Sequence, residues 1–325
     1  MFRQSRKVLV FTAAVLASAS AGAQNYPTRP VTMLVPYAAG GPTDTVARVT
    51  AQSMSKSLGQ TVLVENKPSA GGIIAPEQVK NAKPDGYTIL IHHIGMATTP
   101  ALYHELRFNP LTDFDYIGLI NDVPMTIIAK PGLPAKDFKE FLAYIKANKD
   151  KVTYANAGIG AASHLCGMLF MSAIQTDFLT VPYKGTAPAM NDLLGGQVDF
   201  MCDQTTNTTA QIKGGKVKVY GVTSKTRVAS LPDIPTLDEQ GLKGFEVGIW
   251  HGLYGPKGMP KPVTDKLVAA LQETVKDPDV KKRFADLGAS TMPPEKATPA
   301  ALEAHLKAEI NRWGPLIRKA GVYAD

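Results

Sequence analysis

The chain has 325 residues, 44% of them hydrophobic and 19% charged, with a formal charge of +7. That is room for two ordinary domains, and the composition is globular, not disordered or fibrous. The positive balance is mild and scattered, with no basic run interleaved with aromatics, so no nucleic-acid partner is expected.

The first 23 residues stand apart. Arg3, Arg6 and Lys7 precede an apolar stretch from Val8 to Leu16, and small residues end at Ala21-Gly22-Ala23. This reads as a secretory signal peptide over residues 1–23, with an apolar run too short to span a bilayer. Its removal takes away three positive charges and leaves +4. No other long apolar stretch follows, so a soluble protein of the periplasm is expected.

From there strand and helix patterns alternate. "VTMLVP" predicts a strand and Thr43 to Leu58 a helix with Asp44 near its start. "TVLVENKP" is a second strand, followed by Gly71-Gly72 and a helix through Val79; "YTILIHH" is a third strand. After "FDYIGLINDVPMTIIAKPG" come a helix from Phe138 to Asn148 and the strand "KVTYANAG". Then follow helix "ASHLCGMLFMSAI", strand "LTVPYKG", helix "APAMNDLLGG" and strands "VDFMCDQ" and "VKVYGVTS". Beyond Pro262 the pattern is helical. Strands alternating with helices of about 10–15 residues point to βαβ units around mainly parallel sheets, an α/β fold.

"LVPYAAGGPT" at 34–43 is echoed by "TVPYKGTAP" at 180–188: strand, Val-Pro-Tyr, small-residue turn, helix. The echo is consistent with two related lobes joined by two crossing segments, placed near "LINDVPMTII" and "VYGVTSKTR". The first lobe is expected over 24–123 and 222–325, and the second over 124–221. Ligands in such folds lie beyond the carboxyl ends of strands, so a cleft between lobes is the expected site.

Three strand-to-helix turns could carry chemistry: Tyr37 to Asp44, Ser69 to Gly72, and Asn156 to His164. Glycine brings bare N–H groups close to a ligand, and the following helix aims its unpaired amides at the same point. Each turn taken singly is equally consistent with ordinary βα turn chemistry; together they form an anion cradle.

Nucleotide and enzyme patterns fail on detail. "GIGAAS" lacks the small third residue of a dinucleotide loop, and no phosphate-cradling lysine loop or G-x-S-x-G elbow occurs. His104-Glu105 lacks the second histidine of a zinc motif. No catalytic residue, cofactor or metal is therefore expected. His92 and His93 end a strand, where neighbours face opposite sides, so one of them is expected to line the cleft. Met96, just beyond, is a soft group able to pack against a ligand. Trp250 and Trp313 read as packing or interface residues. Cys166 and Cys202 sit in apolar surroundings; their spacing leaves a bridge open, and two buried free thiols is the simpler expectation.

The segments "YPTRPVTMLVPYAAGGPTDTVAR", "LGQTVLVENKPSAGGIIAPEQVKNAKPDGYTIL", "YANAGIGAASHLCGMLF", "VPYKGTAPAMNDLLGGQVDF" and "GVTSKTRVASLPDIPTLDEQGLKGFEV" resemble the Bug-type solute-binding proteins, the extracytoplasmic receptors of tripartite tricarboxylate transporters. The resemblance runs from Tyr26 to the helical end. It implies a two-lobed Venus-flytrap fold, each lobe a mainly parallel sheet flanked by helices, closing on a small carboxylate without catalysis. It points to Tyr37, Ala39, Gly40, Gly41, Thr43 and Asp44, with Ser69, Ala70, Gly71 and Gly72 opposite. From the other lobe it points to Ala157, Gly158, Ser163, His164, Thr186 and Asp203. Pro42 departs from the family's usual small residue and removes one donor, and Tyr37 stands where Phe is common. The implied partners are an organic acid, aromatic or dicarboxylic among the candidates, and the permease subunits, with a monomeric receptor. A sensor kinase is the rival partner, and a secreted α/β enzyme the rival class.

Overall fold

The computed structural model describes residues 26–321, 323 and 324; the expected signal peptide lies outside the described residues. Strand β1 (Val31–Val35) is almost wholly buried and pairs in parallel with β2 (Val62–Asn66) and β3 (Thr88–His93). Helix α1 (Pro42–Leu58) follows β1. Pro42 opens it where a missing N–H costs nothing, and left-handed Gly59 ends it. Helices α2 (Ile74–Lys80) and α3 (Gly95–Leu102) flank the same sheet.

Strand β4 (Phe114–Ala129) is 16 residues long and changes partners part-way. As far as Pro124 it runs antiparallel to β9 (Gly248–Pro256); from Met125 it pairs with β7 (Phe200–Gln204) and, from Thr126, with β8 (Lys218–Val222). Two sheets thus share one strand, in the order β2-β1-β3-β9-β4 and then β7-β5-β6. The second sheet continues in parallel through β5 (Thr153–Asn156) and β6 (Leu179–Pro182). Its helices are α4 (Phe138–Ala147), α5 (Ala162–Ile174), α6 (Thr186–Leu194) and α7 (Thr205–Lys213). The chain then returns through β9, and α8 (Lys261–Lys276), α9 (Pro278–Asp286), the short β10 (Ser290–Thr291) and α10 (Pro299–Ala320) complete the first lobe.

The βαβ units are parallel as their pattern predicts, whereas the crossing strands β4 and β9 add an antiparallel centre. The pattern gives no signal for β9, whose glycines at 248, 252 and 255 break the apolar alternation. It gives none for α3 or α7 either, the latter a Thr-rich run of weak helix formers.

Each lobe has its own packing signature. In the second, Phe141 stacks on Tyr220 with ring centroids 4.1 Å apart, and Phe170, Phe178, Phe200 and Tyr154 surround them. In the first, the indole N–H groups of Trp250 and Trp313 both donate to Glu309 Oε2, at 3.2 and 2.9 Å. Both tryptophans are packing residues within that lobe.

The expectation of two free thiols is corrected: Cys166 on α5 and Cys202 on β7 form a disulfide, with Cα atoms 6.2 Å apart. Helix α5 lies across β7 and brings residues 36 positions apart into reach. Among the described residues no helix is long and apolar enough to cross a membrane.

Candidate functional site: a pocket at four helix starts

The lobes touch across their cleft through main chain and hydroxyls. Ala38 N–H donates to Lys184 O (3.1 Å) and Gly71 N–H to Ala157 O (3.3 Å); Thr98 Oγ1 donates to Gly160 O (2.8 Å) and Tyr103 Oη to Ile159 O (3.0 Å). Between them lies a small, partly open cavity.

Its walls are the first turns of four helices. Gly41, Pro42 and Thr43 open α1; Ala161, Ala162 and Ser163 open α5; Thr186 opens α6; Gln204 precedes α7. None of the four has a side-chain cap. The leading amides of a helix have no partner inside it, and its dipole makes that end positive. Among the described residues no lysine or arginine lines the cavity. Two buried side-chain oxygens of the lining lack a hydrogen-bond partner among the described residues: Thr186 Oγ1 and Gln204 Oε1. An anion with polar substituents is the chemical complement of such a surface.

At one wall of the pocket three histidines and Tyr37 pack together, with Tyr37 and His93 in the lining. His93 accepts from the Gly95 amide through Nδ1 (2.9 Å), so its proton sits on Nε2; its ring stacks on Tyr37 at 4.8 Å. His92 accepts from the His93 amide and donates through Nε2 to Gly72 O (3.2 Å). His251 holds its proton on Nδ1, toward Asn121 Oδ1 (2.9 Å), and Nε2 accepts from the Thr43 hydroxyl (3.3 Å). Burial keeps all three neutral: it pushes His92 down to about 4, His251 down to about 3, and His93 well below its ordinary value. They act as hydrogen-bonding spacers, not as cations.

Eight of the expected site residues line the pocket: Tyr37, Gly41, Thr43, His93, Ala157, Ser163, Thr186 and Asp203. The others lie elsewhere in this closed form. Ala39, Gly40 and Ala70 are exposed. Asp44 is buried; burial works against its charge, but bonds from Arg48, the Gly40 amide and Asn66 win and hold it below the usual carboxylate range. Ser69 accepts from the Ile74 amide, Gly72 donates to Ser69 O, and Gly71 and Gly158 meet where the lobes touch. Met96 is core and His92 lies behind His93. His164 points into a separate cavity with Tyr154, Met168 and Phe178. The amides of Gly40, Gly71 and Gly72, expected to grip a ligand, are thus spent within the protein.

Sequence reasoning held Pro42, Ala161 and Ala162 within its candidate turns without giving them a ligand contact, and missed Gln204 in the lining and His251 behind it. The signal for Gln204 was a strand end running straight into "QTTNTT".

Residues 46–322 match the family model for the tripartite tricarboxylate transporter family receptor. The chain belongs to that family. Its members are periplasmic binding receptors, and this one shares their two-lobed solute-binding fold. It is 58% identical to the periplasmic binding protein BugD, whose structure superposes with a TM-score of 0.89 over 92% of this chain and 99% of that one. A second receptor of the same shape is MatC from Rhodopseudomonas palustris with bound malate: 40% identical, TM-score 0.86, covering 90% of this chain and all of that one. A protein from the TAR-I ttuE-ttuC' intergenic region of Agrobacterium vitis is 50% identical over 96% of this chain and 90% of its own.

Proposed function

We propose that this receptor captures a small organic carboxylate in the periplasm, after cleavage of residues 1–23, and delivers it to the membrane subunits of a tripartite transporter. One observation carries the reading: four uncapped helix starts converge on a pocket that, among the described residues, no lysine or arginine lines. Each such end contributes roughly 0.3–1 kcal/mol toward an anion, and up to about 2 when partly buried. The malate bound by MatC supports the same ligand class. Gly41 and Thr43 on one lobe, with Ser163 and Thr186 on the other, hold the carboxylate; His93 offers a neutral N–H donor beside them.

The lobes hinge where β4 changes partners, at Pro124–Met125, and at the return near Val222. Only the closed form presents all four helix ends, so a bound acid favours closure. Isothermal titration against a panel of organic acids tests this, with affinity expected near micromolar, about −8 kcal/mol. Binding of a sugar or a cation in place of every acid would end the reading.

A further inference from the structure

Inside a pocket built for anions stands a carboxylate. Asp203 is the last residue but one of β7, is 1% exposed, and lines the cavity. Its Oδ1 accepts from the Gln204 amide (2.8 Å) and its Oδ2 from Asn207 Nδ2 (2.6 Å). The groups favouring its charge are Asn207, that amide and Thr186, none of them cationic. The Thr186 hydroxyl lies near enough to help, yet completes no hydrogen bond of good geometry to any protein atom.

Two consequences follow from the acceptor count. An ionised carboxylate offers about four lone-pair sites, and Asp203 has two filled by side chain and amide. The remaining acceptor capacity borders the pocket, where only a donor satisfies it. A second ligand carboxylate set against Asp203 would form a like-charge pair that resists double ionisation.

We propose that Asp203 is a specificity-determining residue, selecting acids with a hydroxyl or ammonium donor beside the bound carboxylate over matched acids that lack one. This rests on the carboxylate-receptor reading. A site that hydrogen-bonds a ligand donor discriminates strongly against analogues without it, because its buried acceptor is then left unpaired. Here two protein donors already serve Asp203, so a preference of about 10- to 100-fold is expected, below the range for a fully orphaned acceptor. A purely structural Asp203, serving only to tie β7 to α7, would change affinity for every acid alike.

The test is calorimetry at pH 8 on the intact mature protein with matched series: succinate, malate and aspartate; glutarate, 2-hydroxyglutarate and glutamate; propionate, lactate and alanine; phenylacetate, mandelate and phenylglycine. In any series that binds, the hydroxy or amino acid should bind at least tenfold more tightly than its parent. Which of the two wins tells hydroxyl from ammonium. Asp203→Asn turns one acceptor into a donor and should bring parent and substituted acids within about threefold, with thermal melting checking its fold. Should that variant fail to fold, the wild-type ratios still decide. A parent acid that binds as tightly as both its derivatives overturns the selection, and so does an unchanged ratio in a folded Asp203→Asn. No binding anywhere in the panel removes the carboxylate reading itself, and the selection with it.

Discussion

The amide of Gly71 donates to the carbonyl of Ala157 across the cleft, at 3.3 Å. Two lobes approach this closely only because side chains are missing at the crossing. A Cβ on Gly158 would stand 2.5 Å from Gly71 N, and its φ of +93° already disfavours other residues.

Gly158→Val should therefore hold the lobes apart. The expected result is at least a 100-fold loss of affinity for the best-binding acid, with the ligand-free melting temperature lowered by only a few degrees. Small-angle scattering should show no compaction on adding the acid. Normal closure would mean that this contact does not limit it.

The Cys166–Cys202 bridge closes a loop of 36 residues. Chain-entropy arithmetic assigns such a loop about 4 kcal/mol. Urea unfolding of the double Cys→Ala variant, or of the wild type in reductant, should show a loss of about 3–4 kcal/mol. Since the bridge joins α5 three residues past Ser163 to the residue before Asp203, affinity should fall as well.

Glu309 accepts from both tryptophans of the chain. Glu309→Leu leaves two buried indole N–H groups unpaired and should cost about 3 kcal/mol; Glu309→Gln keeps an acceptor and should cost less than half of that. Tryptophan fluorescence during urea unfolding reads this directly.

Two sets of groups give opposite pH dependences. His92, His93 and His251 are neutral when folded but protonate near 6.5 when unfolded. Their contribution is complete above about 6.5 and is lost as pH falls toward 4. Asp203 is pushed up to about 6 by burial, against the bonds from Asn207, the Gln204 amide and Thr186. Its protonated folded form is favoured below the unfolded value, and that contribution is lost as pH rises through 6. The stability of wild type minus Asp203→Asn should thus decline between pH 4 and 6.5, by at most about 3 kcal/mol. A flat difference across that window would show Asp203 to be unshifted.

The parallel units were legible because "VTMLVP" and "KVTYANAG" run into glycine turns and amphipathic helices. Half of the site was legible for the same reason: Gly41, Thr43 and Ser163 sit at helix starts that the pattern announces. Strand β9 was not, since its three glycines erase the alternation that marks a strand. Nor was the gathering of four helix ends, which depends on how the lobes face each other and has no spacing signature. Of the two neighbouring histidines His93 lines the pocket and His92 does not, but strand alternation gave no sign that their rings would meet. The chain leaves the strand at Ile94 in a helical conformation, and both rings turn into one cluster.

A last consequence lies in β4. At residue 124, paired with Gly248, the ribbon holds a proline, which cannot supply a ladder N–H. Parting the lobes there would twist a continuous ribbon at a rung that a proline weakens, storing torsional work that returns on release. The empty receptor should behave as a sprung clip with a narrow gape, and not as two beads on a loose thread.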